Sequence, residues 1–518
     1  MNGAELVLRT LVNSGVDICF TNPGTSEMHF VAAFDQVEGI RGVLGLHENV
    51  VTGAADGYAR ISGRPASTLL HLGPGLGNGF ANLHNARRAH TPLVNIVGDH
   101  ATYHKQFDAP LETDIEAIAG ACSRWVGRSK SVDDVAQLAA EAVAQANAGR
   151  GGVATLILPA DVAWSAVHSA PATAAVSALG FPDVDRVEAA QAAMTSGERT
   201  VLLIGGRALR GRGLRAAQRS ARATGAVLIA ETFPAHMERG GALPAVDRLA
   251  YLAEFAAMQI GDAAHIILVD VPSPVSFFAY PSKPSDLVPE NANVIHLVDE
   301  NQDAVAALEA LADALDAPAF RPEDQPGARP DRPTGEVTLE SVAAAIGATL
   351  PEGAIVADES NTSGLFVPGA TQHSPEHDVM CITGGAIGIG LPLALGASLA
   401  APDRPTVCLA SDGSSLYTLP ALWTMAREGC NITTVLYNNR SYAVLNMELK
   451  RVGADRTERA AEMLDLSRPD QDFVALAQGL GVPALRVERA EDLTDALEQS
   501  YREPGPLLIE CVVEPLEL

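Results

Sequence analysis

The stretch PTVCLASDGSSLYTLPALWTMAREG, residues 405–429, is where a reading of this chain starts. It reads as a buried apolar strand, a tight turn at Asp412 and Gly413, and a helix opened by Ser414 and Ser415. Such a helix start presents free backbone N–H groups and the positive end of a dipole, so Gly413, Ser414 and Ser415 are candidate phosphate contacts. A second strand, NITTVLY, follows and ends in Asn438 and Asn439. If the two strands are parallel neighbours, Asp412 and Asn439 meet at the carboxyl edge of one sheet. A carboxylate, an amide oxygen and a nearby backbone carbonyl suit Mg²⁺, which takes hard oxygen ligands and shares them with a diphosphate. Ordinary turn chemistry also places D-G and N-N pairs after strands; it is their joint spacing that favours a site.

The same alternation of short apolar strands and Ala-rich helices extends outward along the chain, in GVDICFTNPG, PLVNIVGD, VATLILPAD, TVLLIGG, AVLIAETFP and HIILVDVP. This is the α/β pattern of doubly wound parallel sheets. At 518 residues the chain exceeds one ordinary core and predicts about three domains. Ser169 to Asp183 and Ala317 to Glu336 read as linkers, which gives domains at 1–168, 184–316 and 337–518. The first and third each open with a helix leading into a strand and are candidate structural cousins.

A formal charge of −27 disfavours nucleic acid and anionic membrane surfaces as partners. No uninterrupted apolar run of 18 residues and no signal-like N-terminus is apparent, so a soluble cytoplasmic protein is expected. Six scattered cysteines without a C-x-x-C pair suggest neither a disulfide framework nor a zinc site.

The interval from Asp412-Gly413 to Asn438-Asn439 resembles the signature of thiamine-diphosphate-dependent enzymes. Residue by residue, the resemblance implies Asp412, Asn439 and the Ser441 carbonyl as Mg²⁺ ligands. Ser411 stands where that family has its first glycine, a departure that would crowd the diphosphate slightly. In TGGAIGIGLP (383–392), the Gly385 carbonyl and the Ile387 N–H would contact the aminopyrimidine. In ESNTS (359–363), Asn361 and Thr362 would bind phosphate oxygens, and Tyr442 joins the cofactor-binding set.

GVLGLHENVVTGAADGYARISGRP (42–65) resembles the family's strand, glutamate and helix element. A carboxylate at a helix start is ordinarily a surface cap worth about 0.3–1 kcal/mol. The resemblance instead makes Glu48 the residue that hydrogen-bonds the pyrimidine ring and promotes deprotonation at thiazolium C2. His71, at the end of the strand in TLLHLGPGLGNGFANL, matches the active-site histidine of benzoylformate decarboxylase. NPGTSE (22–27) resembles that enzyme's N-P-G-S-N-E, placing Thr25 at its active-site serine. GDHATYHKQFDAP places His100 and His104 near the same strand edge.

The resemblance spans the chain, and its closest shape is acetolactate synthase-like. It implies a carboligase that decarboxylates a 2-oxo acid such as pyruvate and ligates the enamine to a second carbonyl compound. A benzoylformate decarboxylase-type activity is the alternative, although SPVSFFAYPSKPSD (273–286) lacks that enzyme's second histidine and offers only Ala279 and Tyr280 there. A non-catalytic member and a dinucleotide-dependent dehydrogenase are further alternatives. The first is disfavoured by Glu48, Asp412 and Asn439, and the second by the missing G-x-G-x-x-G. FAD is not expected. Phe277, Phe278, Tyr442, Val444 and Leu445 are candidates for an apolar substrate pocket. Family members pair the glutamate half of one subunit with the diphosphate half of another, implying a homodimer or homotetramer with active sites between subunits.

Overall fold

The computed structural model describes residues 1–281, 283–322, 327–454 and 456–516; the centre of the second expected linker, 323–326, lies outside the described residues. Three sheets carry the fold. The first holds β1 (Ile18–Thr21), β2 (Arg41–Leu44), β3 (Ala66–His71), β4 (Leu93–Asp99), β5 (Trp125–Arg128) and β6 (Val153–Pro159), all parallel, in the order β2-β1-β3-β4-β6-β5. Its central strands β4 and β6 are buried along their whole length, as expected of a parallel sheet covered on both faces.

The middle of the chain contributes β7 (Thr200–Ile204), β8 (Val227–Ala230), β9 (Met237–Arg239), β10 (His265–Val269) and β11 (Asn293–His296). Four of these form a parallel sheet ordered β11-β10-β7-β8. β9 leaves it and pairs antiparallel with the third sheet.

That third sheet holds β12 (Ile355–Glu359), β13 (His377–Cys381), β14 (Thr406–Ser411), β15 (Ile432–Asn438), β16 (Ala484–Val487) and β17 (Leu507–Val512), in the order β16-β17-β15-β14-β12-β13-β9. Its six C-terminal strands, numbered among themselves and read from β13, run 2-1-3-4-6-5, the order of the first sheet. The two ends of the chain are therefore built on one topology, and the mixed α/β class with doubly wound parallel sheets holds throughout.

The two like-wound ends meet through equivalent helices, Glu48–Ser62 after β2 and Gly390–Ala400 after β13. Small residues let these helices approach closely. A Cβ on Gly57 would lie 2.1 Å from the Leu393 carbonyl oxygen, and one on Gly396 would lie 1.8 Å from that of Ala54. One apolar core consequently runs through both ends, joining Val50, Ala54 and Leu83 to Leu393, Ala394 and Ala410. Among the described residues no helix is long and apolar enough to cross a membrane.

The helix expected directly after Gly413 is interrupted. Asp412–Ser415 makes a single helical turn, residues 416–420 form further turns, and the helix proper is Ala421–Glu428. Pro420 explains the break, because its ring disfavours helical backbone at Leu419 and removes an N–H donor.

Candidate active site

β14 and β15 are parallel neighbours, with Ser411 opposite Tyr437, so Asp412 and Asn439 do emerge together at the carboxyl edge. Asp412 is 1% exposed. Its Oδ1 accepts the Gly413 N–H at 2.8 Å and its Oδ2 the Arg440 N–H at 2.6 Å. Burial pushes the carboxyl up to about 6, against backbone N–H groups of Gly413, Arg440, Asn439 and Ser441 that favour the ionised form. Asn439 Oδ1 accepts the Ser441 N–H at 2.9 Å, and Arg440 between them takes a left-handed φ of 55°. Asn438 Oδ1 is buried with no partner among the described residues.

The fit of a divalent cation can be judged from these donors. Among the described residues no group of three or more His, Cys, Asp or Glu could hold a metal. A cation here would rest on the Asp412 carboxylate together with amide and carbonyl oxygens of Asn439 and Ser441. Such a set leaves octahedral positions for a diphosphate, and Mg²⁺ fits it better than a softer metal.

Ser411, the residue out of pattern, turns its hydroxyl to the neighbouring strand end and donates to the carbonyls of Ser360 at 3.0 Å and Glu359 at 3.3 Å. The Ser414 and Ser415 hydroxyls both donate back to the Ser411 carbonyl. These two residues therefore offer a ligand their backbone N–H groups rather than their hydroxyls. Gly413 is required where it stands, since a Cβ would lie 2.6 Å from the Tyr442 ring. Asn361, with φ of 51°, and Thr362 follow β12, and Asn361 Nδ2 reaches Ser411 Oγ at 3.4 Å. Six of the sequence-nominated cofactor residues, Asn361, Thr362, Gly413, Ser414, Ser415 and Tyr442, thus adjoin Asp412 on one edge.

The remaining two lie on the loop after β13. Gly385 has φ of 72°, and a Cβ there would lie 2.8 Å from the Phe277 ring. Phe277 belongs to an aromatic chain with Phe233, Tyr251 and Phe278 that the middle of the molecule lays against this loop. Ile387 packs half-buried against the shared core.

At the N-terminal sheet, Glu48 opens its helix, and His47 caps that helix by accepting the Asn49 N–H. Glu48 Oε2 accepts from Asn78 Nδ2 at 3.1 Å. A Cβ on Gly75 would touch both Glu48 Oε1, at 3.4 Å, and His71 Cβ, at 3.3 Å, so only a bare backbone separates the carboxylate from the imidazole. His71 ends β3, and the next residue, Leu72, is held at φ of 47°, a strained value for a branched side chain.

His71 Nδ1 lies 2.8 Å from Glu27 Oε2, and Glu27 is 2% exposed. Ser26 Oγ bonds Glu27 and lies 3.2 Å from His71 Nδ1. Their packing needs glycine twice, at Gly24 on their own loop and at Gly98 in β4. A Cβ on Gly24 would strike the His71 ring at 2.2 Å, and one on Gly98 would strike Glu27 Oε1 at 1.9 Å. Thr25, nominated from sequence as the active-site hydroxyl, lies exposed in the same cleft, and the hydroxyl that reaches His71 is that of Ser26. Neither Ser26 nor Glu27 was assigned a role from the sequence, although both lie inside the quoted NPGTSE.

The cleft has a volume of about 280 Å³ and is lined by Thr25, Ser26, His71, His100, His104 and Trp164 among others. His100 Nε2 is buried without a partner among the described residues, and its ring centroid is 5.3 Å from that of His104. Among the described residues none beyond Trp164 lines the cleft.

Comparison with known proteins places this geometry. Residues 1–118 match the model of the thiamine pyrophosphate enzyme N-terminal TPP binding domain, and residues 363–511 that of the C-terminal TPP binding domain. A Mycobacterium tuberculosis protein, provisionally named acetolactate synthase large subunit IlvX, is 55% identical with both chains fully covered. The benzoylformate decarboxylase of Pseudomonas aeruginosa is 30% identical over 97% of each chain. The acetolactate synthase isozyme 2 large subunit of Escherichia coli is 26% identical over 100% of this chain and 96% of its own. In fold, the chain is similar to a thiamine diphosphate-dependent 4-hydroxybenzoylformate decarboxylase of Rhodococcus jostii, with a TM-score of 0.84, 24% identity and full coverage of both chains. The chain belongs to the thiamine pyrophosphate enzyme family.

Proposed function

We propose that this enzyme decarboxylates a 2-oxo acid such as pyruvate and ligates the retained fragment to a second carbonyl compound, using thiamine diphosphate and Mg²⁺. The carrying observation is the placement of Glu48 and of Asp412 with Asn439 on the carboxyl edges of two like-wound sheets. Bound there, the cofactor supplies a carbanion at thiazolium C2 and an electron sink for loss of CO₂. Asp412, Asn439 and the Ser441 carbonyl would hold the metal, with the Ser414 and Ser415 N–H groups, Asn361 and Thr362 beside the diphosphate. Gly385 and Ile387 would face the pyrimidine, and Glu48 would hold a proton at its ring nitrogen.

His71 has its Nδ1 engaged by Glu27, which leaves Nε2 as the atom to exchange a proton with substrate in the cleft. Ala279 and Tyr280 stand where a decarboxylase of the benzoylformate type would carry a second histidine, and nearby Phe277 against Gly385 supplies an apolar wall. That favours trapping the retained fragment with a carbonyl compound over protonating it. Plain decarboxylation is the second reading, supported by the Glu27–His71 pair as a proton donor and by the 30% identical relative.

Among the described residues, the cleft that holds His71 is lined by residues between 25 and 164. The Glu48 half of one copy therefore faces the diphosphate half of another in this reading, giving a homodimer or homotetramer. A flavin has little to bind in the middle sheet. Two backbone N–H groups after β7 that could meet a phosphate, on Gly206 and Arg207, are taken by the protein's own Glu231 and Asp270.

Thermal-shift titration with thiamine diphosphate plus Mg²⁺, against FAD and NAD, tests the cofactor; stabilisation by the first pair alone is expected. Mass spectrometry of products from pyruvate, benzoylformate and branched 2-oxo acids tests the reaction. Exclusive release of free aldehyde would reverse the order of the two readings.

A further inference from the structure

The loop 383–390, which carries Gly385 and Ile387, is gripped from both sides by buried side chains outside it. From the C-terminal sheet, Glu359 at the end of β12 accepts the N–H groups of Gly388 at 2.7 Å, Ile389 at 3.2 Å and Gly390 at 2.7 Å. From the N-terminal half, Asn85 of the helix Leu72–Arg88 takes the opposite end. Its Oδ1 accepts the Gly384 N–H at 3.1 Å and the Ala386 N–H at 3.3 Å, and its Nδ2 donates to the Ala386 carbonyl at 2.7 Å. The Thr383 hydroxyl donates to the Asn85 carbonyl at 2.7 Å, and Asn82 donates to the Gly388 carbonyl at 3.3 Å.

Asn82, Asn85 and Glu359 are all buried. Polar groups in such places are retained when bonded; Asn85 and Glu359 spend their acceptors on backbone N–H groups of this loop, while Asn82 braces Asn85 and bonds the Asn49 carbonyl at 2.8 Å. Gly385 sits at φ of 72° and Gly388 at 94°, conformations that the free loop would leave for others.

We infer that Asn85 is a positioning residue, which with Glu359 fixes the 383–390 loop so that the Gly385 carbonyl and the Ile387 N–H stay aimed at the aminopyrimidine end of the cofactor. This rests on the cofactor reading above. Asn85 acts through the loop and touches only the pyrimidine side, whereas the diphosphate end is held by β12, β14 and β15. Loss of the grip therefore weakens thiamine diphosphate without weakening inorganic diphosphate.

The test measures dissociation constants by isothermal titration in Mg²⁺ for thiamine diphosphate and for inorganic diphosphate. Wild type, Asn85→Ala and Asn85→Asp are compared, with the thermal midpoint of each cofactor-free chain recorded. Asn85→Ala is expected to weaken thiamine diphosphate about tenfold or more, the scale of one lost buried hydrogen bond, and to leave inorganic diphosphate within about twofold. Asn85→Asp keeps the side-chain volume and both acceptor bonds, and carries the test if the alanine variant does not fold. It sets an oxygen in place of the Nδ2 donor against the Ala386 carbonyl and Asn82 Oδ1, so its loss is expected to be at least that of alanine, with the same selectivity. Equal weakening of both ligands, or no weakening of either, overturns the positioning role. Absence of saturable thiamine diphosphate binding to the wild type overturns the cofactor reading instead.

Discussion

Replacing Gly396 by Ala should destabilise the enzyme, whereas replacing Gly120 by Ala should stabilise it, although both glycines sit inside helices. In each case the added methyl removes unfolded-state freedom and improves helix propensity, a gain of about 0.8–1 kcal/mol. At Gly120 nothing lies within 4 Å of the new Cβ, so that gain should appear with little offset. At Gly396 the Cβ would stand 1.8 Å from the Ala54 carbonyl oxygen and 2.6 Å from the Tyr58 nitrogen. Both are backbone atoms of the opposing helix, which cannot swing aside as a side chain can, so the helices must part by more than an ångström. Overpacking of this kind costs about 1–3 kcal/mol and sometimes more. Because the contact is with backbone, the upper part of that range applies, and against the propensity gain the net effect is a loss of about 2 kcal/mol. Urea unfolding followed by tryptophan fluorescence measures both variants. Shifts of the same sign at the two positions would refute the claim that backbone contact between the two ends, rather than helix propensity, decides the outcome.

Glu48→Gln should lower turnover by about 10²-fold or more, in the range of a lost acid–base group, while calorimetry still finds thiamine diphosphate bound; unchanged turnover removes Glu48 from the mechanism. Glu27→Gln should lower kcat by a similar factor at constant cofactor affinity and displace the pH–rate profile, because His71 Nδ1 would lose its carboxylate partner; a profile matching the wild type counts against a proton role for His71. Burial pushes Glu359 up to about 7 from an ordinary 4.5, so its contribution to stability is fully present below about 4.5 and lost as pH rises through 7. The stability of Glu359→Gln relative to wild type should therefore increase between pH 5 and pH 8, by about 2 kcal/mol at 1.36 kcal/mol per pKa unit, and a pH-independent difference in denaturation midpoints would contradict this.

Fold class, and the meeting of Asp412 with Asn439 at one sheet edge, were legible because each rests on local patterns. Apolar runs bounded by glycine specify buried parallel strands, and Asp412 and Asn439 each end such a run. The single helical turn at Asp412–Ser415 was not foreseen, since Pro420 reads locally as an ordinary first-turn proline and its effect on Leu419 shows only in the backbone. Ser26 and Glu27 escaped notice for a different reason. Their importance lies in contact with His71, 44 or 45 residues away, and in the bare backbone of Gly24 and Gly98, and neither fact is written in the motif. Asn82 and Asn85 did leave a trace, as two amides three residues apart on an otherwise small and apolar helix face. Without the loop they hold, that trace has no direction.

The repeated strand order explains why the nominated residues converge at all. In the first sheet, Thr25 and Glu27 follow strand one, Glu48 follows strand two, His71 ends strand three and His100 follows strand four. In the third sheet, Asn361 and Thr362, then Gly385 and Ile387, then Asp412, then Asn439 and Ser441 follow the corresponding strands. Each sheet offers its functional residues after the same four strands, around the point where strand order reverses and where open parallel sheets bind ligands. The chemistry on the two edges is nevertheless complementary. One edge carries carboxylates and imidazoles that can hold and move protons, and the other carries helix-start N–H groups and oxygen donors that can hold a metal diphosphate. A duplicated scaffold whose copies carry unlike chemistry has use for both edges only when they face one another. The helices Glu48–Ser62 and Gly390–Ala400 pack the two ends of one chain together through Gly57 and Gly396, yet the His71 cleft draws no lining from the diphosphate edge. In the proposed reading the corresponding edge of a second copy completes the site, and the Asn85 grip would then tie each chain's contribution to one site to its contribution to the other.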